Sequence, residues 1–174
     1  MKNHIKVTTL AGLFLFASAS GFAADSQVQI TGEEAIAQVN QSNQTLETAK
    51  AFLWAAGSGD MKTLDALMTE DFVWANEGDG RIPWIGTWEG KDVVMNEFLP
   101  AFGGGLKTTH WSTDFSFASG SDAVFMGTMS ADVLKTGKNT GQFNWAVRVH
   151  VENGKVKRWT WLENSFAVSQ AYAK

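Results

Sequence analysis

The sequence predicts an α+β domain in which a curved antiparallel sheet wraps around N-terminal helices. Three observations predict it. Between Thr31 and Phe102 apolar residues recur mostly at helical period, from Lys107 onward they alternate at period two, and Gly103-Gly104-Gly105 separates the two regimes. Helices first and a run of strands afterwards is the order expected when a sheet curls over helices.

Before the first helix, residues 1 to 23 carry Lys2 and Lys6, the apolar run Val7 to Ala19, and Ser20-Gly21-Phe22-Ala23. This pattern predicts a secretory signal peptide cut after Ala23, and so a periplasmic or secreted protein. The run is shorter than the roughly 20 residues of a spanning helix, so no membrane partner is expected. Loss of Lys2 and Lys6 would lower the 14 basic residues to 12 against 18 acidic ones, a formal charge of −6. That balance argues against nucleic acid as a partner. With no cysteine in 174 residues, disulfides and lipoprotein attachment are excluded. The remainder fits one domain large enough to bury a core.

Residues 24 to 44 read as an extension holding a short helix. Its start is the capping box Thr31-Gly32-Glu33-Glu34, and the polar run Asn40 to Asn43 interrupts it. The domain proper spans 45–168. Leu46, Ala49, Phe52, Leu53 and Ala56 mark a helix stopped by Gly57-Ser58-Gly59, and Asp60 caps the next, with Leu64, Leu67 and Met68 as its stripe. Phe72-Val73-Trp74 is β-rich, the cluster Gly78-Asp79-Gly80 turns, and Trp84 to Trp88 is extended. Val94, Met95, Phe98 and Phe102 return to helical period, with Pro100 in the last turn. Four strands follow, at Lys107–Ala118, Ala123–Leu134, Gly141–Val151 and Lys155–Glu163, and Asn153-Gly154 predicts a hairpin between the last two. Residues 169–174 read as a tail.

Alternation assigns the strand faces. Phe143, Trp145, Val147 and Val149 share one side with Trp159, Trp161 and Glu163 of the next strand and with Phe125, Gly127 and Met129; Arg148, His150, Arg158 and Leu162 share the other. The first set makes a concave wall dominated by aromatics.

Three segments, AAGSGDMKTLDALMTEDFVW, IPWIGTWEGKDVVMNEF and TGKNTGQFNWAVRVHVENGKVKRWTWLENSFAV, resemble the SnoaL-like, ketosteroid-isomerase-like branch of the nuclear transport factor two superfamily. The resemblance covers about residues 46 to 168. It implies a cystatin-like roll: a cone with a mostly apolar pocket, often dimeric through the outer face of its sheet. Isomerases of this kind use a tyrosine, a carboxylate base and a protonated aspartic acid. By position these fall on Phe52, Asn76 and Val147, none of which supplies that chemistry. The family's frequent tyrosine, acid, aspartate ending is replaced by Leu162-Glu163-Asn164.

Glu163 is the first candidate acid or base, because desolvation beside Trp159 and Trp161 favours its neutral form. The bland alternatives are a solvated rim acid or a partner for Arg148 or Arg158. His110 is a candidate proton shuttle beside Trp111, and Asn76 a candidate ligand contact or simply a turn residue. Phe52, Trp74, Trp84, Phe98, Phe125, Met129, Trp145, Val147, Trp159 and Trp161 are the expected pocket walls. His, Asp and Glu recur at no ligand spacing and no phosphate loop occurs, so neither metal nor cofactor is expected. The leading expectation is a homodimeric domain binding a small apolar or aromatic molecule. The alternatives are an isomerase, dehydratase or hydrolase using Glu163, and an association module with a filled cone.

Overall fold

A computed structural model describes residues 31–173. The expected leader and the first part of the extension lie outside them. No described helix is long and apolar enough to cross a membrane.

Helix α1 (Gly32–Ser58) opens on the predicted capping box, in which Thr31 and Glu34 exchange side-chain and backbone hydrogen bonds. It runs unbroken through the polar segment where an interruption was expected. No Gly or Pro breaks the helix there, and the polar side chains have partners: Ser42 Oγ accepts from Gly120 N at 2.9 Å, Thr45 Oγ1 donates to Gly120 O at 2.8 Å, and Gln41 Nε2 donates to Ser121 Oγ at 3.0 Å. A run that looks like a break is thus a seam against a strand turn. Gly59 ends the helix in the left-handed region, φ 71°, and Asp60 caps α2 (Met61–Leu67) through Thr63 N.

Strands β1 (Met68–Asn76) and β2 (Gly86–Glu89) pair antiparallel. A helical segment then runs through α3 (Lys91–Val93), a π turn (Val94–Phe98) and α4 (Leu99–Gly103). The widened turn precedes Pro100, whose missing N–H interrupts the regular ladder. The long strand expected over Lys107–Ala118 is two, β3 (Leu106–Trp111) and β4 (Phe115–Ser119), both paired with β5 (Asp122–Val133). The short β6 (Lys138–Asn139) also pairs with β5, and β7 (Phe143–Glu152) and β8 (Lys155–Glu163) form the predicted hairpin. Asn153 and Gly154 both have positive φ, 50° and 74°, as a tight hairpin turn of this type requires.

The sheet order is β2-β1-β8-β7-β5-β3, with β4 and β6 also on β5. It is curved and open. One pair departs from the antiparallel expectation: β1 lies parallel to β8. The expected tail is partly helical, since α5 (Ser165–Tyr172) crosses the 168 boundary and docks through Thr136 Oγ1 on Ala171 O and Ser169 Oγ on Asp79. The Arg81 guanidinium beside Asp79 holds that carboxyl well below the usual range.

The inner face of the sheet carries the core. Ala123, Phe125, Met129, Val147, Val149, Trp159 and Phe72 are buried against Ala49, Phe52 and Ala55 of α1. Alternation predicted this face correctly on β5, β7 and β8.

Candidate functional site

Two groups of rings divide the inside of the cone. At the deep end Phe52, Trp74, Phe98 and Trp159 interlock with tilted planes, their centroids 5.2 Å apart for Phe52–Trp159, 5.2 Å for Trp74–Trp159 and 4.6 Å for Trp74–Phe98. All four are buried. They fill the deep end against one another, so of the expected pocket walls these four are packing residues.

Asn76 belongs to the same construction. It is buried, its Oδ1 accepts from Trp74 Nε1 at 2.8 Å, and its Nδ2 donates to Trp84 O at 3.1 Å. The amide ties the end of β1 to the segment before β2 and secures the Trp74 indole. Trp84 itself lies apart from the cone rings, edge-on to Phe102 and Tyr172 and in the space a side chain on Gly105 would fill.

The open end is built differently. Trp145 on β7, Trp161 on β8 and Trp111 on β3 lie nearly parallel, with interplanar angles of 11° for Trp145–Trp161 and 27° for Trp111–Trp145 and centroids 5.2 and 4.3 Å apart. Gly127 makes room for them: a Cβ there would stand 3.0 Å from the Trp145 ring and on top of Ser112 O. Trp145 is buried, Trp161 is half-buried, and Trp111 is 41% exposed. Met129, buried, is the register partner of both Trp111 and Phe143.

Glu163 sits beside these rings, opposite Trp145 in register, and accepts from Trp161 Nε1 at 2.8 Å. Burial pushes its carboxyl above the ordinary 4.5, and the indole hydrogen bond partly opposes that rise. Among the described residues no ion pair involves Glu163. The partners weighed for it from sequence stand elsewhere: Arg148 pairs with Asp122 on the outer face at 3.0 Å, and Arg158 donates to Thr160. The three positions that matter in isomerases are close in space, with Asn76 and Val147 both register partners of Trp161 and Phe52 packed under Trp159.

His110 stands apart from the cone rings. It pairs with Ser130 and meets Thr128 Oγ1 at 3.2 Å, on the opposite face of the sheet from Glu163. A register shift between Thr108 and His110 reverses the parity of β3, so Trp111 turns inward in its place. Trp111 is the ring of this group that the sequence did not single out, and no local sequence signal marks the shift.

The two clefts described lie outside the cone. One of about 360 Å³ lies between α1 and the strand turns, beside Gln44, Ser121 and Asn153. The other, of about 290 Å³, is on the outer face at Arg148, His150, Arg158 and Thr160. Neither is lined by Glu163 or by the cone rings. Among the described residues no three His, Asp or Glu converge as a metal site would require.

The curved open sheet on N-terminal helices, with an aromatic interior, defines a cone of the nuclear transport factor two-like class. The model of the SnoaL-like domain matches residues 49–159, and the chain belongs to that family. Solved structures agree on the fold. A nuclear transport factor two-like protein from Burkholderia xenovorans is 22% identical, with TM-score 0.69 over 76% of this chain and 98% of that one. An epoxide hydrolase from M. tuberculosis is 18% identical, with TM-score 0.59 over 75% and 90%. TerC, co-crystallised with polyporic acid, is 18% identical, with TM-score 0.63 over 74% and 98%. A comparison with curated proteins finds no match.

Proposed function

We propose that this is an exported SnoaL-like domain that binds a small aromatic molecule at the open end of its cone, on Trp111, Trp145 and Trp161 with Glu163. One observation carries the reading: a partly desolvated carboxyl stands beside three near-parallel indoles, of which Trp111 and Trp161 reach solvent, with Trp161 Nε1 as its hydrogen-bond partner. Parallel rings on one sheet face offer a flat molecule a stacking surface, and the carboxyl orients it. Fold relatives include a protein crystallised with polyporic acid and an epoxide hydrolase, so the architecture accommodates both a ligand and a reaction.

The second reading is an isomerase, dehydratase or hydrolase in which Glu163 is the general acid or base. The upward displacement of its pKa favours it, since a carboxyl moved toward neutrality exchanges protons more effectively. Neither reading assigns proton transfer to Asn76, whose amide does not take up a proton near neutral pH.

A homodimer through the outer face fits the same reading. Phe115, Met126, Ala146 and Leu162 form one register row across β4, β5, β7 and β8, with Phe115 68% and Leu162 45% exposed. Such a contiguous apolar row is the kind of surface a second copy covers.

Native mass spectrometry of the chain recovered with its own N-terminus, without detergent, tests all three points. A small-molecule adduct that disappears on unfolding, a mass reduced by residues 1–23, and a dimer lost in the double variant Met126→Glu, Leu162→Glu are expected. An empty protein whose tryptophan fluorescence responds to no aromatic compound would overturn the ligand reading. Turnover abolished in Glu163→Gln would select the enzyme.

A further inference from the structure

We infer that the open-end site selects an organic cation, an alkylammonium or aromatic ammonium compound, over a neutral molecule of the same shape. The inference rests on the ligand reading above and names the class of ligand.

Compensation of charge carries it. Glu163 is taken partly out of water without an ion-pairing basic residue, and its hydrogen-bond partner among the described residues is a neutral indole. The described lysines and arginines with ion pairs hold other acids: Lys91 with Asp65 and Glu70, Lys157 with Asp71 and Glu152, Arg81 with Asp79, Lys50 with Glu47, and Arg148 with Asp122. Arg158 lies on the outer face beside Thr160. A partly desolvated carboxylate without a counter-charge is costly, and a bound cation is the partner that removes the cost.

The rings point to the same ligand. The face of an indole carries the negative part of its quadrupole, and tryptophan is the strongest cation–π partner among side chains. Three indoles lie within 6.0 Å of one another by centroid, one of them 41% exposed, and of these Trp161 donates to Glu163 and Trp145 is its register partner. An ammonium group resting on the exposed part of the Trp111 and Trp161 pair, whose Trp161 Nε1 donates to Glu163, gains ring attraction and a nearby carboxylate together. An anionic ligand meets repulsion from both, and a neutral one meets only the apolar surface.

The test compares benzyltrimethylammonium with its neutral isostere neopentylbenzene and with phenylacetate, titrated into the full chain by tryptophan fluorescence and calorimetry at neutral pH. The cation should bind at least about tenfold more tightly than the isostere, and phenylacetate should bind weakest. In Glu163→Gln that preference should shrink severalfold, and in Trp111→Ala, which leaves the carboxylate in place, cation affinity should fall. Circular dichroism establishes that each variant is folded. If the isostere binds as tightly as the cation, or if Glu163→Gln leaves the preference intact, the inference is overturned while the aromatic site stands. If neither compound binds the folded parent, the site reading falls with it.

Discussion

The two ends of the cone use the same residue type for opposite purposes. At the deep end, rings supplied by α1, β1, the π turn and β8 meet at interplanar angles of 35° to 44° and close around one another. At the open end, rings from three strands of one sheet face lie within 27° of parallel and leave part of Trp111 and Trp161 to solvent. Tilted rings from different layers fill volume. Parallel rings from one layer leave a face available. Aromatic content alone therefore does not separate core from site, whereas the origin of the rings does.

Substitutions can break that contrast. The largest effect is expected for Phe52→Ala at the deep end, a loss of about 3–5 kcal/mol in urea unfolding; a change below about 1 kcal/mol would mean the deep rings are not interlocked. Asn76→Ala leaves Trp74 Nε1 and Trp84 O buried without their partner, so unfolding should show a loss of about 1–3 kcal/mol. Trp111→Ala should cost less than about 1 kcal/mol, because the ring is already partly in water. A cost equal to that of Phe52→Ala would erase the distinction between the ends.

The smallest effect concerns Glu163→Gln, and its sign is the informative part. Burial raises the folded-state pKa above the ordinary 4.5, so the ionised carboxyl destabilises the fold above that raised value. The penalty fades as pH falls toward 4.5. The Gln variant should accordingly be slightly more stable than the parent at neutral pH, with the difference vanishing in acid. Chemical unfolding across the acid range checks this, and a parent more stable than the variant at neutral pH would show that Glu163 has a stabilising partner.

Much of the fold was readable from residues whose local physics is decisive. Thr31 and Glu34 cap a helix, Gly59-Asp60 joins two, Asn153-Gly154 permits a hairpin, and alternation along β5, β7 and β8 assigned the inner face that carries Glu163. What escaped depends on contacts distant in sequence. The polar run Asn40 to Asn43 looks like a helix break until Gly120 and Ser121 are placed beside it. Asn76 reads as a turn residue until Trp84 O arrives to accept from it. The register shift before His110 belongs to the pairing of β3 with β5, so nothing local in the sequence shows that Trp111 faces inward and His110 outward.

The parallel contact between β1 and β8 bears on the order in which the molecule is made. Every other strand pair is antiparallel, but β1 waits for a strand that follows it by some eighty residues of chain. Until β8 emerges, the β1–β2 hairpin has an unpaired backbone edge and uncovered Phe72 and Trp74 side chains, a combination that invites sticking to other nascent chains. Closing so long a loop is slow. The alignment of Asn76 with Trp161 comes from that same late pairing, so a polypeptide stalled or truncated before Lys155 would contain α1 to α4 and the first hairpin yet lack every residue of β8 on which the open end depends.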